Sequence, residues 1–383
     1  MREAQLLKRL DAGDPVRQCS VTGATLPFAI NDAQCRKNSF GGCGHSDPTR
    51  VRAERPLCCV ASRLIAWGVL ARLQQFIVLV LVVASVAWAS FFVRHDHPSW
   101  GVAIVALIFL GYALFLALEF VALYVVQGSE SGALRADLPQ LLRAWWGEVI
   151  TAPRVFFWRQ PFRAHAEPDH LPNLANGGAG VVLVHGFFCN RGLWNPWMRE
   201  LRACGVPHIA VNLEPLFGSI DCYPTIIDAA VARVEAATGQ PVVLVGHSMG
   251  GLAIRAWLRQ FNADARVHRA ITIGSPHQGT WLARFGQALN GKQMRQRSPW
   301  LAKLAADETP ARAERFTCFY GHCDNIVFPV VSGTLPGAVN LHLPVTAHVH
   351  MAFHPSVFNE VLRWVSMPAA GSDAPGFGMT AAR

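Results

Sequence analysis

Charged side chains are scarce in this chain. Asp, Glu, Lys and Arg make up 15% of its 383 residues, against 51% hydrophobic, whereas an ordinary soluble domain carries about a quarter charged. That shortage excludes a purely soluble protein of this size and directs attention to membrane segments. An apolar core within the first two dozen residues is also missing; the region is polar and charged, so no secretory signal is expected. Close CxxC pairs are absent, and no His spacing matches a zinc site. The ten cysteines fall five before residue 60 and five after residue 188, and the irregular spacing of Cys19, Cys35, Cys43, Cys58 and Cys59 favours unpaired thiols over a metal cluster. Neither a metal nor an organic cofactor is expected. The formal net charge is +9, but no repeating stripe sets Lys and Arg beside aromatics, so nucleic acid is not an expected partner. An anionic lipid surface accounts for the charge equally well.

Two long apolar runs are present. Residues Phe76 to Val93 carry no charge, and after a short loop a second run extends from Val102 to Val126. At about 1.5 Å per residue each can cross a hydrocarbon core of roughly 30 Å. Glu119 is the one ionisable group inside either run. With no second buried charge evident to pair with it, snorkelling or a contact within the hairpin is the expected role. Arg55, Arg63 and Arg72 precede the first run and Arg135 and Arg143 follow the second, while the loop carries only Arg94. The positive-inside rule then puts both ends of the hairpin on the cytoplasmic side. The expected organisation is a basic segment without periodicity at 1–63, a membrane hairpin at 64–127, a juxtamembrane linker at 128–170, a catalytic domain at 171–366 and a flexible tail at 367–383. In the linker Trp145, Trp146, Phe156, Phe157 and Trp158 alternate with Arg154, Arg159 and Arg163, which suits a membrane interface or an element packed on the catalytic domain.

Beyond Gly177 short β-rich runs alternate with helical periods, the pattern of a mostly parallel sheet covered by helices on both faces. Ligands of such sheets bind beyond the carboxyl ends of the strands. After the strand ending at Val245 come Gly246, His247, Ser248, Met249 and Gly250, and then a helix with Leu252, Ala256 and Trp257 at core spacing. This is a nucleophile elbow in its required strand-turn-helix context, with glycines where the tight turn leaves no room for a side chain. Ser248 is therefore the expected nucleophile of an α/β-hydrolase fold. The oxyanion of an acyl-transfer intermediate needs N–H donors. Met249, directly after the serine, supplies one; Phe187, after His185 and Gly186 in the first strand's loop, supplies the other. His185 is read as a structural hydrogen-bonding residue of that loop. In this fold an acid and then a histidine follow the serine. Asp324 lies just beyond the apolar run Phe316 to Tyr320, whereas Asp264 precedes a strand and so falls at the opposite edge. Asp307 and Glu308 are read as solvated. Of the late histidines, His348 is favoured as base, ahead of a final helix carrying Val357, Val361, Leu362 and Val365. His350 is its nearest competitor, and His354 beside Pro355 looks like a helix start.

The segments VLVHGFFCNRGLW (182–194), VVLVGHSMGGLAIRAWL (242–258), TIGSPHQGT (272–280), YGHCDNIVFP (320–329) and LPVTAHVHMAFHPSVF (343–358) resemble bacterial lipases of the α/β-hydrolase superfamily, those related to triacylglycerol lipases. The resemblance covers about half the chain and not the hairpin. It implies His348 as base, although Ala347 stands where that family usually has glycine, and Ser275-Pro276-His277-Gln278-Gly279 is its most lipase-like mark. The expected activity is cleavage of carboxylic esters, with a lipid or other ester as substrate and the membrane as partner. Thioesterase and acyltransferase chemistry use the same elbow, and a non-catalytic membrane adaptor would keep the shape while lacking a triad member. Residues 281–305 set Trp281, Leu282, Phe285 and Leu289 beside Lys292, Arg295 and Arg297, which reads equally as a lipid-responsive lid or as a core-packed face. Oligomeric state is not legible.

Overall fold

A computed structural model describes residues 68–128, 134–172 and 178–367; the expected basic segment at 1–63 and most of the expected tail lie outside them. Six strands form one parallel sheet: β1 Val181–Val184, β2 His208–Ala210, β3 Val242–His247, β4 Val267–Ile273, β5 Phe316–Tyr320 and β6 Val339–His342, in the order β2-β1-β3-β4-β5-β6. Strands β1 and β3 are buried along their whole length, as strands covered on both faces must be, which is why they read as unbroken apolar runs. Alternate side chains feed two cores. Val182, Val184 and Leu244 pack with helices α5 (Pro224–Thr238) and α6 (Met249–Phe261) on one face. Val181, Leu183, Val243 and Val245 pack with α4 (Asn195–Ala203) and α10 (Pro355–Ser366) on the other. Register brings the ends of β1 and β3 together, with Val184 opposite Gly246. The elbow and the loop after β1 thus emerge side by side.

Ahead of the sheet, α1 (Val69–Arg94) and α2 (Pro98–Gly128) form a hairpin, both long and apolar enough to cross a membrane. The runs expected at 76–93 and 102–126 lie inside them. Far from the sheet the hairpin presents Leu79, Val83, Val86 and Phe91 from α1 and Val102, Leu107 and Leu110 from α2, all exposed. At its base the helices are keyed into the hydrolase part: Leu70, Gln74, Phe120, Leu123 and Gln127 are buried. Gln74 Nε2 donates to Gln160 Oε1 (2.9 Å) and Gln127 Nε2 to the His322 carbonyl (2.6 Å). Apolar packing alone would let the helices slide; these amide contacts fix their depth.

The segment read as a linker contains helix α3 (Leu138–Pro153), followed by a π turn at Arg154–Arg159. Asp137 and Gln140 form a reciprocal capping box at its start. Leu141, Ala144, Glu148 and Ala152 are buried along one side, and Leu138, Leu142, Trp146 and Ile150 are exposed along the other. Side chains four apart share a helix face, so α3 has two apolar faces, one of which is left exposed by the described residues.

Residues 281–305 form short helical turns, among them α7 (Leu289–Gln293) and α8 (Pro299–Ala306). Leu301, Leu304 and Met294 belong to the core, while Phe285 and Leu289 are exposed. The segment is thus anchored by its second half. The expectation that Glu308 is solvated is corrected: it makes a two-pronged ion pair with buried Arg255, whose Nη1 also donates to the His277 carbonyl (3.0 Å). Arg255 on α6 cannot stay buried without such partners.

Candidate active site

Ser248 joins β3 to α6 with φ 54° and ψ −126°, a conformation that costs a non-glycine residue on the order of 1–3 kcal/mol and persists only where surroundings enforce it. Here the turn does so. A Cβ at Gly246 would stand 2.8 Å from the Gly251 nitrogen, and one at Gly250 would collide with the Val184 carbonyl. Ser248 N–H donates to the Ile273 carbonyl (2.8 Å), tying the turn to β4.

Asp324 is buried in the loop after β5. Its Oδ1 accepts the N–H groups of Ile326 (2.9 Å) and Val327 (2.8 Å), and both its oxygens lie 3.0 Å from His348 Nδ1. A carboxylate so fixed holds the Nδ1 proton toward itself and leaves Nε2 as the free base position. Burial pulls the His348 pKa down, but the charge and hydrogen bond of Asp324, with Glu148 and Glu119 adding to them, outweigh it and raise it above the usual histidine value. The competitor is His350. Its ring lies over α3, so that a Cβ at Gly147 would meet its Nδ1 at 2.6 Å. His354 caps α10, its Nδ1 accepting from Ser356 N–H.

Three residues that sequence reasoning missed hold His348 from behind. Asn325 Oδ1 accepts the His348 N–H (3.1 Å), while its Nδ2 donates to Glu119 Oε2 on α2 (2.6 Å). The expectation that Glu119 snorkels or contacts only the hairpin is thereby corrected. Glu148 of α3 accepts the N–H groups of Val349 and His350, both at 3.0 Å, at the start of the one-turn helix α9 (His348–Met351). Burial pushes the Glu148 pKa up to about 7 against the pull of those two bonds. The one available signal was the isolated charge of Glu119 in an apolar run. Glu148 and Asn325 gave none.

His247, next to the nucleophile, is driven down to about 3 by burial, with His348 adding to the effect. It is neutral, and its Nε2–H donates to the His348 carbonyl (3.2 Å). His185 is lowered to about 4 by burial. Its Nε2 accepts from Leu213 N–H (2.9 Å), so Nδ1 carries the proton and donates to the Gly186 carbonyl (2.9 Å). Gly186 itself abuts the nucleophile, since a Cβ there would lie 2.7 Å from Ser248 Cβ, and this close approach brings the Phe187 backbone beside Ser248. Met249 N–H sits in the first turn of α6, where helical geometry supplies no acceptor.

Ser248, His348 and Phe187 open onto a cavity of about 700 Å³ whose walls are almost wholly apolar. Its far wall comes from the hairpin, through Ile77 of α1 and Tyr112, Phe115, Leu116 and Glu119 of α2. Cys189 also lines it, but burial pushes that thiol up to about 12, so it stays protonated.

Residues 181–371 match the family described as Alpha/beta hydrolase, and the all-parallel sheet with its elbow is an α/β-hydrolase fold. A probable esterase, PIR7A, of Oryza sativa is 30% identical over 125 residues, covering 29% of this chain and 47% of the rice protein. The chain therefore spans about half the length of the curated relatives it matches. Among solved structures, Bacillus licheniformis lipase BlEst2 in mature form is similar at 18% identity and a TM-score of 0.46, covering 52% of this chain and 96% of its own. Aspergillus fumigatus lipase B is similar at 19% identity and 0.43, covering 51% and 55%.

Proposed function

We propose that this chain is a membrane-anchored serine hydrolase that cleaves carboxylic esters of lipids through an acyl-enzyme, with Ser248, Asp324 and His348 as its triad. The observation that carries the reading is the pair of 3.0 Å contacts from Asp324 to His348 Nδ1, beside a strained Ser248 at an apolar cavity. His348 Nε2 takes the proton from Ser248 Oγ as Oγ bonds to the acyl carbon. The carbonyl electron pair moves onto oxygen, where the N–H groups of Phe187 and Met249 receive it, a donor pair of which each member is worth roughly 3 kcal/mol. Collapse expels the alcohol, which leaves with the proton from His348. Water, deprotonated by the same nitrogen, then releases the acid. Asp324 keeps the imidazole in the productive tautomer and favours its charged form. No cofactor is needed for any step.

The hairpin within 64–127 serves as the anchor and 171–366 as the catalytic unit, on the cytoplasmic side of the inner membrane. Arg72 in the first turn of α1 and Arg135 and Arg143 after α2, against Arg94 alone at the far end of α1, support that orientation. The test is labelling of the purified protein by a fluorophosphonate. Wild type should label and Ser248→Ala should not; equal labelling of both, or none of wild type, would leave the proposal without its nucleophile.

A further inference from the structure

The cavity beside Ser248 has a rim as apolar as its walls. Ile77 is 39% exposed, Phe115 60%, Phe157 38% and Phe217 51%, and all four also line the cavity. A mouth that takes its substrate from water has no use for such a rim, because apolar surface left in water is unfavourable. Two of the four, Ile77 and Phe115, are residues of the hairpin. From there the exposed apolar surface continues without a break in kind, outward along α1 through Leu79 and Val83 and along α2 through Leu114 and Leu110. The outer face of α3 extends it, with Leu138, Leu142, Trp146 and Ile150 exposed at four-residue spacing and Trp158 and Phe162 beyond. Arg143, Arg154 and Arg159 accompany these aromatics in sequence, the composition of a helix that rests at a lipid headgroup layer. Tyr112 of α2 and Phe157 of the π turn after α3 meet edge to face at 5.8 Å within the cavity wall.

From this geometry, and resting on the ester-hydrolase reading above, we infer that the substrate is a lipid resident in the bilayer, whose acyl chain reaches Ser248 sideways between the hairpin and the hydrolase fold. The hairpin is then one wall of the acyl site as well as an anchor. The α3 stripe seats on the headgroup layer at the height where an ester linkage lies, and the passage bounded by Ile77, Phe115 and Phe157 admits the chain without exposing it to water. An acylglycerol and a diacyl phospholipid share the chemistry needed here, an ester at the interface with a hydrocarbon tail beneath it.

The full-length protein is reconstituted into vesicles of phosphatidylethanolamine and phosphatidylglycerol doped with dioleoylglycerol, with isotopically labelled acyl chains either in the same vesicles or in protein-free vesicles mixed with them. Released fatty acid is measured by mass spectrometry, and p-nitrophenyl butyrate is measured in parallel. Lateral access predicts at least tenfold faster release from the shared bilayer than from the separate one. It also predicts that Ile77→Trp with Phe115→Trp lowers the ratio of lipid to butyrate turnover about tenfold, with fluorophosphonate labelling of Ser248 showing that the variant is folded. Equal release from both vesicle populations, hydrolysis of butyrate alone, or a variant that loses both activities in step would overturn the inference while leaving a serine esterase. Failure of wild type to label or to cleave any of these esters would instead remove the reading on which it rests.

Discussion

Gly274 has no side chain because the Asp324–His348 pair occupies the space. A Cβ there would stand 2.9 Å from Asp324 Oδ2 and 3.1 Å from His348 Nδ1, and the residue has φ +53°, a region that favours glycine. It follows β4 directly, so the sheet presses its backbone against the acid and base. Gly274→Ala should lower kcat/KM for p-nitrophenyl butyrate at least about tenfold, equivalent to about 1.4 kcal/mol in the barrier. The fluorophosphonate labelling rate should fall in parallel. Unchanged labelling would show that Asp324 and His348 do not act together.

Replacing His348 by Ala should reduce ester turnover at least about a thousandfold, since loss of one triad member leaves the oxyanion donors and binding alone. Asp324→Asn should cost less than that, because the acid orients and does not react. His350→Ala should stay within about tenfold of wild type. If the losses at 348 and 350 came out reversed, the assignment of the base would be wrong.

The pH profile follows from the sign of the His348 shift. Its pKa is raised, and the neutral form is the working base, so kcat/KM should climb with pH through a midpoint above the ordinary value of about 6.5. Asp324→Asn removes the largest raising influence and should move that midpoint down. A wild-type midpoint at or below 6.5 would contradict the geometry.

Glu148 accepts the N–H groups of both Val349 and His350. Glu148→Ala would remove both of these bonds, each worth about 0.5–1.5 kcal/mol or more when the acceptor is charged, and should lower both Tm and kcat. Glu148→Gln, retaining one acceptor, should recover part of each. A variant with full kcat and lowered Tm would reduce Glu148 to a purely structural role.

Orientation can be read with reporters. One fused after Arg383 should behave as cytoplasmic, and one inserted between His95 and Ser99 as external; the opposite pattern of protease protection would mean that the Arg distribution does not set the topology.

The strands, the elbow and the loops bearing Asp324 and His348 were legible because each rests on a local pattern: an unbroken apolar run, two glycines about a serine, an acid just past a strand. Strand β6 was not. Val339 is exposed and its other residues are only partly buried, so Val339–His342 lacks the apolar signature of the central strands. Glu148 and Glu119 act across 201 and 206 residues of sequence, a distance over which no periodicity speaks. Glu308 misled for the opposite reason. It sits among polar neighbours, and only the fold reveals that Arg255 is buried against it.

The base of the hairpin shares polar contacts with the rest of the chain, Gln74 with Gln160, Gln127 with His322 and Glu119 with Asn325, and the last of these leads straight to the His348 backbone. Whatever surrounds the hairpin therefore bears on turnover. On the proposed function, an extraction detergent that splays α1 from α2 would disturb His348 without touching it, so the amphiphile used to solubilise this protein would become a kinetic variable. Preparations of identical polypeptide should then differ in kcat according to what replaced the lipid, and return to a bilayer should restore a common rate.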